Sequence, residues 1–212
     1  HEELLLIAHE HKINKKVIDL IREYTGAAVS APNGFGNALD LLHILEVAAA
    51  GERERNVMSK DETLEVLLPH WVVNLIRVDL ANRTGVENFL SVTDEQINAF
   101  FTARKLKVQW LYDFQNLAEP GAAGVSLAYP ETVEVIFYPA GTYVKGTADV
   151  ITLKTVYDST KLADNDYLHL FTEQGVLVTN PCGTGRRLSI PLKATGTTGA
   201  ANITKAFGVA AV

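Results

Sequence analysis

The sequence predicts an α+β fold, read as one folded core over residues 1–212. Three observations carry that expectation. Apolar residues recur at helical spacing through residues 1–104. Two-residue alternation sets in at residue 107, and short strand-like runs separated by Gly, Pro and Asp turns follow to residue 193. The two patterns are segregated along the chain rather than interleaved, which speaks against a βαβ design. Residues 194–212 are rich in Gly, Thr and Ala and read as a flexible tail.

The helical region begins with Leu4, Leu5, Ile7, Ala8, Ile13, Val17, Ile18 and Ile21 as one apolar stripe. Glu2 and Glu3 near its start and Arg22 near its end suit the helix dipole, and Gly26 is its expected stop. The polar run at residues 14–16 leaves open a pair of helices instead of one. Residues 29–35, with Pro32 and Gly34, read as a loop. Asn37 then suits an N-cap for a helix bearing Leu39, Leu42, Ile44, Leu45 and Val47, expected to end at Gly51. Ser59 and Glu62 have capping-box spacing ahead of Leu64, Val66 and Leu67, which predicts a further helix, kinked or restarted at Pro69. Trp71, Val72, Leu75, Ile76, Val78 and Leu80 carry it on to Gly85. Thr93 and Gln96 form a second capping box before Ile97, Phe100 and Phe101.

In the sheet region, Val108, Trp110, Tyr112 and Phe114 fall on one face of a strand and Lys107, Gln109, Leu111 and Asp113 on the other. Leu111 blurs the polar side, so cover on both faces is expected. Residues 115–127 read as a Gly/Ala-rich surface loop, and strands are predicted near 132–138, 150–157, 167–171, 175–179 and 187–192. The step from Thr172 to Gly175 reads as a hairpin turn in which the glycine takes a positive φ.

Composition narrows the function classes. Hydrophobic residues make up 47% and mean hydropathy is +0.07, apolar enough for a folded core with surface left for subunit contacts. Lys and Arg total 19 against 25 Asp and Glu, a formal charge of −6, without a basic stripe. Sequence-specific nucleic-acid binding is therefore not expected, because phosphate contacts supply most of such affinity. No apolar run approaches the ~20 residues that cross a bilayer, so no membrane partner is expected. The lone Cys182 leaves no internal disulfide and fits a reducing compartment. The chain opens at His1 rather than Met, as a processed or truncated piece would.

Candidate chemistry is sparse. His9 and His11 lie about 200° apart around a helix and cannot share a metal, and no H-E-x-x-H or paired Cys accompanies them. Asp164, Asn165 and Asp166 offer oxygens but lack the Gly and bidentate Glu of a calcium loop, so a polar turn explains them. Cys182 would need a base or basic pocket to react, and Arg186 and Arg187 are its local help. Gly34-Phe35-Gly36 and Gly183-Thr184-Gly185 are turn glycines without a phosphate-loop context. Tyr138, Tyr143 and Tyr157 suit either sheet packing or interface anchoring. No catalytic, cofactor-binding or metal-binding residue is assigned, and no enzyme activity is expected.

Two blocks carry a resemblance. The first reads L-P-H-W-V-V-N-L-I-R-V-D-L-A-N-R-T-G, followed by S-V-T-D-E-Q-I-N-A-F-F-T-A-R. The second reads Y-P-E-T-V-E-V-I-F-Y-P-A-G-T-Y-V-K-G-T-A-D-V-I-T-L-K-T-V-Y-D-S-T, then L-F-T-E-Q-G-V-L-V-T. Across residues 64–192 this wording resembles the major capsid proteins of tailed bacteriophages of actinobacteria, coat proteins of the HK97 type. The resemblance implies an HK97-like coat fold, with an axial domain and elements of a peripheral domain. The family's extended arm and hairpin loop normally precede the helical region, and here helix begins at once, so both are expected to be missing. It also implies a structural subunit, assembled in a bacterial cytoplasm into the capsid of a virion or prophage particle around double-stranded DNA. Its partners would be other copies of itself in hexamers and pentamers, with a scaffold and a maturation protease. The segments 115–127 and 141–146, including Lys145, are the expected neighbour-facing loops. Lysine–asparagine cross-linking chemistry cannot be placed on this sequence. Two other readings stay open: a nanocompartment shell of the encapsulin type, and an unrelated hydrolase or metal enzyme with a scattered site.

Overall fold

A computed structural model describes residues 2–31, 38–84, 92–117, 129–148, 151–156, 169–181 and 185–192. Four helices and nine strands lie among them: α1 (Glu2–Thr25), β1 (Val29–Ser30), α2 (Ala38–Arg55), β2 (Leu64–Pro69), α3 (Val72–Thr84), α4 (Asp94–Ala103), β3 (Leu106–Leu111), β4 (Thr132–Pro139), β5 (Val144–Thr147), β6 (Ile151–Val156), β7 (His169–Glu173), β8 (Val176–Thr179) and β9 (Arg186–Pro191). None of these helices is long and apolar enough to cross a membrane.

The centre is a mixed five-stranded sheet in the order β1-β9-β4-β2-β3. β4 runs antiparallel to both β2 and β9, whereas β2 pairs in parallel with β3 and β1 with β9. Alternation within each strand divides the side chains between two faces. Leu64, Val66 and Leu68 of β2, Val133, Val135 and Phe137 of β4, and Leu188 and Ile190 of β9 point to one face, where α2, α3 and α4 cover them. Trp71 is 1% exposed in that layer, and its indole N–H donates to the Gln115 carbonyl at 2.8 Å. The other face presents Leu67, Ile136 and Tyr138, and α1 seats Ile18 and Ile21 upon them. Two antiparallel ribbons, β5 with β8 and β6 with β7, complete the described strands. Val178 of β8 is buried in the α1 layer, and the Tyr24 hydroxyl donates to its carbonyl at 3.2 Å.

An α+β architecture is as expected, but the helical region is not purely helical. Leu64–Pro69 is the strand next to the sheet's edge rather than a helix, and Ser59 and Glu62 join by a backbone turn, the Glu62 N–H donating to the Ser59 carbonyl at 3.1 Å. Apart from Glu65 its residues are apolar because both faces are covered, which erases the two-residue signal. β2 then crosses through α3 and α4 to its parallel neighbour β3, an interleaving that the segregated reading missed. α1 is one continuous helix that Gly26 terminates at φ +70°. α2 runs past Gly51 to Arg55. The second capping box is present as expected, the Gln96 N–H donating to the Thr93 hydroxyl and the Gln96 side chain accepting from the Thr93 N–H.

β3 ends at Leu111, so the alternation foreseen to residue 114 breaks early. Leu111 is half-buried against the α1 layer, giving the cover on both faces that its apolarity implied, and Phe114 turns into the same layer. The hairpin foreseen at 172–175 is absent: β7 pairs with β6 and β8 with β5, and Gly175 does not take a positive φ. Segment 141–146 is partly strand, because β5 begins at Val144. Asn37, Gly34-Phe35-Gly36, most of loop 115–127, Tyr157, residues 164–166, Cys182 to Thr184 and tail 194–212 lie outside the described residues.

Candidate functional site

β9 carries Arg186 and Arg187 side by side, and strand geometry sends adjacent side chains to opposite faces. Arg186 reaches into the α2 layer, where its Nε lies 2.7 Å from Glu52 Oε1. Arg55, one helical turn beyond Glu52, holds the other carboxylate oxygen at 2.7 Å. Glu52 is 2% exposed, so these two cations and the Asn56 amide replace the water its charge has lost. Arg187 enters the α1 layer and meets Glu134 at 3.4 Å. Glu134 also receives Arg22 from the last turn of α1, with N–O distances of 3.0 and 3.1 Å. Arg22 donates further to the Phe114 carbonyl at 2.7 Å and lies over the Phe114 ring. Both arginines expected to assist Cys182 are therefore committed to carboxylates through sheet geometry. This removes the local electropositive support on which a reactive thiol was weighed.

Sequence reading passed over Glu52 and Glu134. Glu52 continues the spacing of Leu41, Leu45 and Ala49, all buried, and an acid on an apolar stripe is the signal that it needs a buried cation. Glu134 offers no comparable signal, because alternation along β4 places it on a face whose cover by α1 only the tertiary structure reveals.

His11 stands beside Asp113, Nδ1 lying 2.8 and 3.0 Å from the two carboxylate oxygens, and the pair ties α1 to the segment after β3. A groove of about 370 Å³ opens there, lined among others by the apolar Val17, Ile18 and Leu67 and the polar Asn14 and Gln109. A second cleft, about 390 Å³, lies between the α2–β2 connection and the β4–β5 turn, with Glu62 as the acid among its described lining residues. His70 stacks on Tyr112 with ring centroids 4.0 Å apart, and burial lowers its pKa, favouring the neutral ring. Among the described residues, no group of three or more His, Cys, Asp or Glu is placed to hold a metal ion.

Tyr138 and Tyr143 pack in the α1-side core, Tyr138 buried and Tyr143 half-buried. Tyr138 is 5% exposed and meets Tyr143 edge to face at 4.7 Å. Burial first, then the charge and hydrogen bond of Glu65, push the Tyr138 hydroxyl well above its ordinary pKa. Burial alone raises Tyr143 to about 12. Tyr143 also explains Gly185: a Cβ there would collide with the tyrosine hydroxyl and meet Thr25 Cγ2 at 3.0 Å. Gly185 thus serves a close approach between β9, α1 and Tyr143.

The outward face of the β5–β8 ribbon is the remaining distinctive surface. Pairing sets Val144 opposite Thr179 and Gly146 opposite Leu177, and these residues share the side away from buried Val178. Val144 is 54% exposed and Leu177 60%. Lys145, paired with Val178, is exposed on the ribbon's other side. No protein-family model, curated protein or solved structure matches this chain.

Proposed function

We propose that this chain is a structural subunit of an icosahedral phage coat, joined to other copies by heterologous contacts that close around symmetry axes. The observation that carries the reading is the wording of the two sequence blocks, which resembles coat proteins of the HK97 type. The α+β architecture is compatible with that fold, and the HK97-like assignment is part of this proposal. The blocks fall on the end of β2, α3 and α4, then on β4 through β8. A two-stranded ribbon is marginal by itself. The β5–β8 ribbon nonetheless exposes Val144 and Leu177 on one side, and a neighbouring subunit covering them would gain their burial.

Sedimentation velocity of the full gene product is the test. Very large uniform species that close into shells around DNA in electron micrographs support the coat reading, and shells packed with another protein instead would move it to a nanocompartment. A monomer at every concentration, with and without its co-expressed neighbouring genes, sinks it. Lys145→Glu, on exposed β5, should impair assembly while leaving the monomer's melting unchanged; shells formed at the normal rate would remove the Lys145 side of this ribbon from the contact.

A further inference from the structure

We infer that the free edge of β3 is a self-association surface, on which β3 of a second copy pairs antiparallel about a twofold axis at Val108. The inference does not depend on the coat reading. Among the described residues, β3 ends the five-stranded sheet with β2 as its one neighbour. The ladder's parity follows from two bonds: the Leu64 N–H donates to the Lys105 carbonyl and the His70 N–H to the Leu111 carbonyl. In a parallel pair, odd-numbered residues of β3 therefore spend their backbone groups on β2, while Leu106, Val108 and Trp110 direct theirs outward. A row of outward amides and carbonyls is recognised by an extended backbone and by little else.

Edges of this kind are ordinarily blunted by proline, a bulge or a free lysine. Residues 106–111 contain no proline, and β3 keeps unbroken register with β2. Lys107 is present, but its Nζ is held at 3.0 Å by Glu65 of β2. The strand is also complementary to itself. Centring the pair on Val108 sets Leu106 against Trp110 and Lys107 against Gln109, so no like charges oppose and all three outward residues are used, about six backbone bonds in total. The partner's side chains on the α1 side would enter the groove of about 370 Å³ beside Gln109 and Leu111. On the opposite side Trp110, tied to Asn98 at 3.2 Å, offers a partly exposed aromatic anchor.

The test is residue-resolved amide hydrogen exchange on the full chain, dilute and associated, with Val108→Pro measured alongside by sedimentation. Proline at 108 removes an outward N–H and leaves the β2 ladder whole. The Val108 and Trp110 amides should exchange freely in the dilute chain and become protected on association, while those of Lys107, Gln109 and Leu111 stay protected throughout. Val108→Pro should raise the dissociation constant about tenfold or more. A strictly monomeric chain overturns the inference, as do edge amides already protected in the monomer or a folded proline variant that associates as tightly as wild type. Shells whose edge amides still exchange overturn the pairing while leaving the coat reading in place. If the proline variant does not fold, exchange in the unmodified chain decides.

Discussion

Replacing Val57 by glycine should stabilise the protein, and the reason lies in how α2 ends. The Met58 N–H donates to the Arg53 carbonyl at 2.8 Å and the Val57 N–H to the Glu54 carbonyl at 3.2 Å, the bond pattern of a Schellman stop. That stop needs its first residue beyond the cap in the left-handed region, and Val57 is there with φ 53°. A β-branched residue in that conformation costs about 1–2 kcal/mol. The valine recovers nothing by packing, because it is 92% exposed. Glycine removes the steric cost and loses about 0.5–1 kcal/mol of extra chain entropy, leaving a gain near 0.5–1 kcal/mol. For a chain of this size that is roughly 2–4 °C per kcal/mol in the melting temperature. Urea unfolding of Val57→Gly and Val57→Ala measures it, with alanine as the control that keeps a Cβ. Glycine no more stable than wild type, or alanine gaining as much as glycine, would refute the argument from backbone strain.

Three other changes test separate parts of the fold. Gly51→Ala should add about 0.5–1 kcal/mol by urea unfolding, since Gly51 sits inside α2 and nothing lies within 4 Å of the added methyl. Glu52→Gln should cost about 2–3 kcal/mol in the same assay, the lower end for a buried pair, because Arg55 and Arg186 are 39% and 42% exposed and can turn to water. Tyr138 and Tyr143 hold raised pKa values when folded, so the unfolded chain loses those protons first and stability falls as pH climbs above about 10. The double Tyr138→Phe, Tyr143→Phe variant should flatten that decline by up to about 2.7 kcal/mol per pH unit, two protons at 1.36 each. An unchanged slope between pH 10 and 12 would rule out the burial cause.

How much of this was legible depended on whether the signal was local. The Thr93–Gln96 box could be read because every group it uses lies within four residues. The same spacing at Ser59 and Glu62 misled, because β2 is apolar on both faces and its run of Leu and Val fits helix as well as strand. Only pairing with β3 and β4, tens of residues away, decides between them. Gly51 misled in the opposite sense. The helix passes through the glycine and stops where a capping valine accepts strain, so the stop has no compositional mark. The ends of β7 and β8 looked like one hairpin for want of any local sign that each had another partner.

The candidate site was legible to a still smaller degree, and β9 shows why. Arg186 and Arg187 look alike in sequence, and their roles separate only once β9 is a strand between β1 and β4. From there one arginine answers Glu52 of α2 and the other Glu134 of β4, while Gly185 just before them admits Tyr143. Sliding β9 by one residue would exchange the two faces, turning Leu188 and Ile190 out of the α2 layer and taking the β9 arginine from one of the two carboxylates, with Arg55 or Arg22 still beside it. The apolar and the charged residues of β9 thus specify its register together. A slipped β9 would also carry β1 with it and shift that margin of the sheet.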